Sequence, residues 1–160
     1  MSDFLPDGQP EVDLALRRAQ TTTMLGMGRI HAVVQRRAAA LFDQEGLDDI
    51  TPAQSNVMML LFNTKRPMTS REIHRAVGVA EPTVCRFVQA LLRNGWIERR
   101  RHPTDARARL VEPSEKAREA LPAFIRVSNA LLDQLFEGFT REEVHRMVGN
   151  AQRMTGNLAE

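Results

Sequence analysis

The 160-residue chain has no tyrosine, one tryptophan, one cysteine and, among 22 basic residues, only two lysines, Lys65 and Lys116. A single thiol, Cys85, excludes an internal disulfide, and the scattered His31, His74, His102 and His145 offer no Cys/His cluster of the kind structural zinc requires. Long apolar runs are missing too. The longest, Val57 to Phe62, is six residues, against the roughly 18 that mark a membrane-spanning helix. A soluble chain without a membrane partner is expected. The stretch MSDFLPDGQPEVD has neither the basic nor the apolar region of a secretory signal, so a cytoplasmic location is expected, with residues 1–10 as a disordered tail. There is no phosphate loop, no GxSxG and no glycine-rich dinucleotide motif. No enzyme activity, cofactor or metal is therefore expected.

What is present is an ordinary globular balance, 42% hydrophobic and 26% charged, enough for one cored unit. The net charge is only +2. The pI of 9.3 overstates this, because arginines do not titrate and tyrosines are lacking. The distribution of charge says more. Residues 1–50 carry five basic and eight acidic side chains, 51–115 carry eleven and six, and 116–160 carry six of each. A basic middle between acidic and neutral flanks points to an anion-facing module, nucleic acid being the commonest such anion; the plain alternative is a solvated face.

A first helical pattern spans about Glu11 to Glu45, with Met24, Met27, His31, Val34, Ala38 and Leu41 on a heptad seam. Gly26 and Gly28 weaken it, which a close helix approach would explain. Thr51-Pro52-Ala53-Gln54 combines an N-cap, a first-turn proline and a capping box, opening a helix that buries Val57, Leu60 and Leu61. A second box, Thr69 to Glu72, opens a short helix stopped by Gly78. After Val79 and Ala80 another helix starts at Pro82 and turns Val84, Phe87, Val88, Leu91 and Leu92 inward until Asn94-Gly95. Two helices joined by so short a glycine turn read as a helix-turn-helix. Trp96 to Arg101 and Arg107 to Val111 alternate around a Pro/Thr/Asp turn, predicting a β-hairpin. Ser114 caps a helix that Pro122 is expected to kink and Gly138 to end. Thr140 to Glu143 is a third capping box, before a last helix with Val144, Met147, Ala151, Met154 and Leu158 on one stripe.

The order predicts a mainly α fold with a small β-hairpin wing: a winged helix-turn-helix lobe, residues 50–114, with helical extensions at both ends, residues 11–48 and 115–158. The segments LDDITPAQSNVMMLLF, MTSREIHRAVGVAEPTVCRFVQALLRNGWIERR and HPTDARARLVEPSEKAREAL resemble the MarR family of bacterial transcriptional regulators. The most specific pieces are Thr51-Pro52-Ala53-Gln54, Gly78 with Thr83-Val84, Gly95-Trp96-Ile97-Glu98-Arg99 and Asp105-Ala106-Arg107. The resemblance implies a homodimer with interleaved terminal helices and two winged lobes on a pseudo-palindromic operator.

A helix fits the major groove and presents its N-terminal residues to base edges. With Val84, Phe87, Val88 and Leu91 inward, Pro82, Thr83, Cys85, Arg86 and Gln89 are left for DNA. Arg86 is the expected base contact, its fork matching guanine. By the resemblance, Arg107 is the wing residue that enters the minor groove and Asp105 the carboxylate that orients it. Arg99, Arg100, Arg101 and His102 are expected to supply backbone affinity. The chain departs from the family at Ala80 and Glu81, where a capping serine and a polar or basic residue are usual, and at His74, where a small residue is usual. For His74 a packed, hydrogen-bonded histidine is expected. Cys85 is either an oxidation switch on the DNA face or a small residue standing where a serine serves. Peroxide-sensing relatives carry their reactive cysteine in the N-terminal helix, which here has none. Glu142, Glu143 and His145 lie beside a capping box and read as structural rather than as ligands.

The resemblance also implies a small-molecule effector, often an aromatic carboxylate or phenolic, held between the dimer helices and the lobe. Met24, Met27, His31, Met58 and Met59 are the candidates to line its crevice, the alternative for such a stripe being core. The expected function is an operator-binding repressor released by that effector. A different reading is a winged-helix module or antirepressor whose basic face meets an acidic protein, for which Glu81 and the modest net charge speak.

Overall fold

The computed structural model describes residues 13–105 and 108–158; the expected tail and the wing residue Arg107 lie outside the described residues. Asp13 caps α1 (Leu14–Gln44), its carboxylate accepting the Leu16 N–H at 2.9 Å. α2 (Pro52–Thr64) opens on the predicted box: Thr51 Oγ1 accepts from Gln54 N–H, and the Gln54 side chain accepts from Thr51 N–H. The second box, Thr69 with Glu72, opens α3 (Ser70–Val77). Gly78 ends it at φ 70, a left-handed conformation that costs glycine nothing. α4 (Glu81–Arg93) follows at once, and Ala80 gives it no side-chain cap.

The wing has three strands rather than two. β1 (Met68–Thr69), β2 (Ile97–Arg101) and β3 (Arg109–Pro113) form an antiparallel sheet in the order β1-β3-β2. Met68 lies opposite Val111 and Thr69 opposite Leu110. A two-residue strand leaves no alternation to read, and these two also start α3, which masked the pairing. Ser114 caps α5 (Glu115–Leu135), which continues through Pro122 and ends short of Gly138. The third box, Thr140 with Glu143, opens α6 (Arg141–Leu158).

One core joins the lobe to the long helices. The Phe124 ring of α5 lies 5.8 Å from Phe42 of α1, 6.2 Å from Phe62 of α2 and 5.6 Å from Trp96. Each such tilted contact contributes about 0.5–1.5 kcal/mol beyond area burial. Arg126 of α5 also grips Glu45 at the end of α1, at 2.6 Å. That hydrogen-bonded guanidinium holds the Glu45 carboxyl below its ordinary range.

The outer helical surfaces are left bare. The α1 seam divides: Ala38 and Leu41 are buried, Val34 is half-buried, and Met24, Met27 and His31 are exposed. A Cβ at Gly26 or Gly28 would meet nothing within 4 Å, so among the described residues the expected close helix approach is not made. α6 buries no side chain, and Met147, Met154 and Leu158 of its predicted stripe are exposed. Between α1 and α6 lies an open groove of about 740 Å³ lined by Met27, Met147, Met154 and Leu158 among others. The accessible surface is 12174 Å², against about 8100 Å² for a compact monomer of this mass. No helix among the described residues is long and apolar enough to cross a membrane.

Candidate nucleic-acid interface

α4 presents its face as its spacing requires. Val84, Val88 and Leu91 are buried, Phe87 is half-buried, and Pro82, Arg86 and Gln89 are exposed, with Thr83 and Cys85 half-buried beside them. Arg86 Nη2 donates to Thr83 Oγ1 at 3.1 Å, so one end of its fork is steadied on the same helix face. Glu81, exposed in the first turn, meets the positive end of the helix dipole and compensates in part for the missing cap. The turn before α4 is tied by His74, whose Nδ1–H donates to the Val79 carbonyl at 2.6 Å, as a packed histidine would.

A second knot fixes how α4 meets the rest. Asp49, between α1 and α2, accepts from Trp96 Nε1 at 3.0 Å and from Lys116 Nζ at 2.5 Å, while its carbonyl accepts from Asn94 Nδ2 at 2.6 Å. Lys116 also donates to the Asn94 carbonyl and lies 4.1 Å from the centre of the Trp96 ring. Asp49 was not singled out by the sequence patterns, and Asn94 and Lys116 stood out only as a helix stop and as one of two lysines. The available signal was Trp96, whose lone indole N–H needs an acceptor when buried.

On the wing, strand alternation separates the basic residues. Arg99 and Arg101 share one face of β2, and Arg100 points to the other. There it forms an ion pair with the nearly buried Glu112 of β3, which also faces Glu98 across the strands. Arg100 therefore offsets two carboxylates that would otherwise repel. Arg100, expected as a backbone contact, is thus also engaged by the hairpin's own carboxylate. His102 is also engaged, its Nδ1 accepting from Asp105 N–H at 3.1 Å and Thr104 N–H at 3.4 Å, so it shapes the wing turn. Asp105 is exposed in that turn, while its expected partner Arg107 lies outside the described residues.

The five residues expected around an effector are not brought together. Met58 is fully buried in the core. Met27 lines the α1–α6 groove, Met24 and His31 are exposed on α1, and Met59 lines a separate cavity of about 120 Å³ between α1, α2 and α5. Helical spacing put Met58 and Met59 side by side without showing that one turns to the core.

The comparisons with known proteins agree with this architecture. A model of the MarR family matches residues 50–108. A MarR transcriptional regulator from Methanosarcina mazei superposes with a TM-score of 0.72 at 17% identity, covering 86% of this chain and 96% of that one. A mutant MarR from E. coli, complexed with operator DNA, superposes at 0.65 with 22% identity over 82% of this chain and 95% of that one. A probable transcriptional regulator from Pseudomonas aeruginosa does so at 0.64 with 25% identity, over 80% and 96%. The winged lobe thus matches the MarR family model over residues 50–108, and the flanking helices share the fold of these solved structures.

Proposed function

We propose that the protein represses transcription as a homodimer, each lobe placing α4 in the major groove and the wing in the adjacent minor groove of a pseudo-palindromic operator. The observation that carries this is the exposed α4 face of Pro82, Arg86 and Gln89, set beside a cationic hairpin on one rigid core. Arg86 reads a base edge, Thr83 steadies it, and Gln89 and the partly buried Cys85 flank the contact. Arg107, oriented by Asp105, reaches the minor groove, where narrow A·T-rich segments favour an arginine. Half-sites lie about 34 Å apart.

Residues 11–48 and 115–158 form the dimerisation region, and the lobe 50–114 hangs from it. The bare apolar faces of α1 and α6 support this, as nothing among the described residues covers them. The effector is a small aromatic acid or phenol entering where Met59 lies between α1, α2 and α5. At about 120 Å³ that cavity is smaller than the ~150 Å³ that accepts a benzene ring. A ligand must part the lobe from the dimer helices, which selects a lobe spacing that no longer fits the operator.

The test is fluorescence anisotropy with DNA from upstream of the gene, in excess competitor DNA, for the wild type and Arg107→Ala. Competitor-resistant binding that weakens about 10-fold or more in the variant, as expected for loss of about 1–3 kcal/mol, is the expected result. Absence of any such binding overturns the reading in favour of an acidic protein partner.

A further inference from the structure

α4 carries Thr83 and Arg86 near its N-terminal end, so the placement of that end decides what they reach. No side chain of Ala80 caps it. The first turn closes on the backbone alone, the Ala80 carbonyl accepting from the N–H groups of Thr83 at 2.9 Å and Val84 at 3.1 Å. The chain enters α4 through Gly78, Val79 and Ala80, a short turn led by a glycine at φ 70, the residue type with the widest backbone freedom.

His74 closes this turn twice. Its carbonyl accepts from the Gly78 N–H at 3.0 Å, and its side chain reaches past the glycine to the Val79 carbonyl, 2.6 Å from Nδ1. Because a carbonyl only accepts, Nδ1 carries the proton and donates. His74 is half-buried, and Val79 packs against the core. The other end of α4 is pinned, with Asn94 Nδ2 donating to the Asp49 carbonyl at 2.6 Å. Arg86 precedes Asn94 by eight residues, about 12 Å along the helix axis. A swing of about 5° around the pinned end therefore moves Arg86 by roughly 1 Å, beyond the ~0.5 Å within which a recognition group must be held.

We propose that His74 is a positioning residue for base recognition: by fixing the Val79 carbonyl it does the work of the missing cap and holds the Arg86 end of α4 at the angle that reads the operator. This rests on the DNA-binding reading above. Base edges need an aligned partner, whereas phosphates are met by side chains from several elements and carry no sequence information. Without the His74 bond the protein still binds duplex DNA but distinguishes sequences less sharply.

The experiment measures affinity by anisotropy for the full-length protein on the duplex from upstream of the gene and on random duplex. His74→Ala is expected to weaken binding to the upstream duplex about 10-fold, the worth of one base contact, and to leave binding to random duplex unchanged. His74→Asn places its amide nitrogen where Nδ1 stands and is expected to restore the preference, whereas His74→Gln carries its amide one bond farther out and is not. Adding Ala80→Ser to His74→Ala supplies a hydroxyl cap and is expected to restore the preference by the other route. An unchanged preference in His74→Ala, or an equal loss on both duplexes, overturns the proposal. Should the alanine variant not fold, the Asn and Gln variants decide, and equal preferences in those two overturn it. If the wild type itself shows no preference for the upstream duplex over random duplex, the DNA-binding reading falls and this inference with it.

Discussion

At the scale of single residues, the junction between lobe and long helices hangs on a few polar side chains. Lys116 is one of two lysines among twenty arginines, and its compact ammonium fits between the Trp96 ring, Asp49 and the Asn94 carbonyl. A planar guanidinium does not fill that place equivalently. Lys116→Met is expected to lower stability by about 1–2 kcal/mol, the sum of a cation–π contact and a partly exposed ion pair. Urea unfolding followed by the emission of Trp96, the chain's single tryptophan, reads this directly; an unchanged midpoint contradicts it. The same scale shows why the ion pair of Arg100 was not foreseen. In a run of three arginines only the pairing partner distinguishes the middle one, and Glu112 arrives from a strand beyond a long turn.

At the scale of elements, local chemistry was the reliable guide. Three capping boxes were legible because they act within four residues and need no tertiary partner. They also make stability depend on pH. Glu72 is held below the ordinary glutamate range by the Thr69 N–H and then by Arg66, and Glu143 by the Thr140 N–H and hydroxyl. A carboxyl lowered in the folded state binds protons more readily when unfolded, so its contribution is complete above the ordinary pKa and is lost as pH falls through the lowered one. The melting temperature is expected to fall as pH drops from 5 to 3. Glu72→Gln, which keeps an acceptor oxygen but does not titrate, is expected to flatten that decline, and a profile parallel to the wild type would contradict the account. β1 was not legible for the converse reason: two residues form a strand only because β3 lies beside them.

At the scale of the whole molecule, the described helices leave a large apolar surface bare. Leu25, Ile30 and Met24 of α1 are each more than half exposed, and α6 packs nothing inward. Exposed apolar helix faces of this extent mark association surfaces. Light scattering at micromolar concentration is expected to give twice 18.1 kDa. Met154→Asp, which places a charge in the α1–α6 groove, is expected to shift the protein to monomer while the lobe keeps its helical circular dichroism. A Met154→Asp variant that remains dimeric places the interface elsewhere.

By itself, the order of residues determined the capped helix starts, the inward face of α4 and the winged helix-turn-helix plan, because capping, turn chemistry and amphipathic spacing act over a few neighbouring positions. It determined the MarR resemblance for the same reason, through compact local motifs. Tertiary structure decided which arginine of the wing pairs with Glu112, which methionine enters the core, how Asp49 and Lys116 clasp Trp96, and which helical stripes remain uncovered. Those outcomes depend on contacts between residues far apart in the chain, and a single line of sequence does not record which surfaces meet.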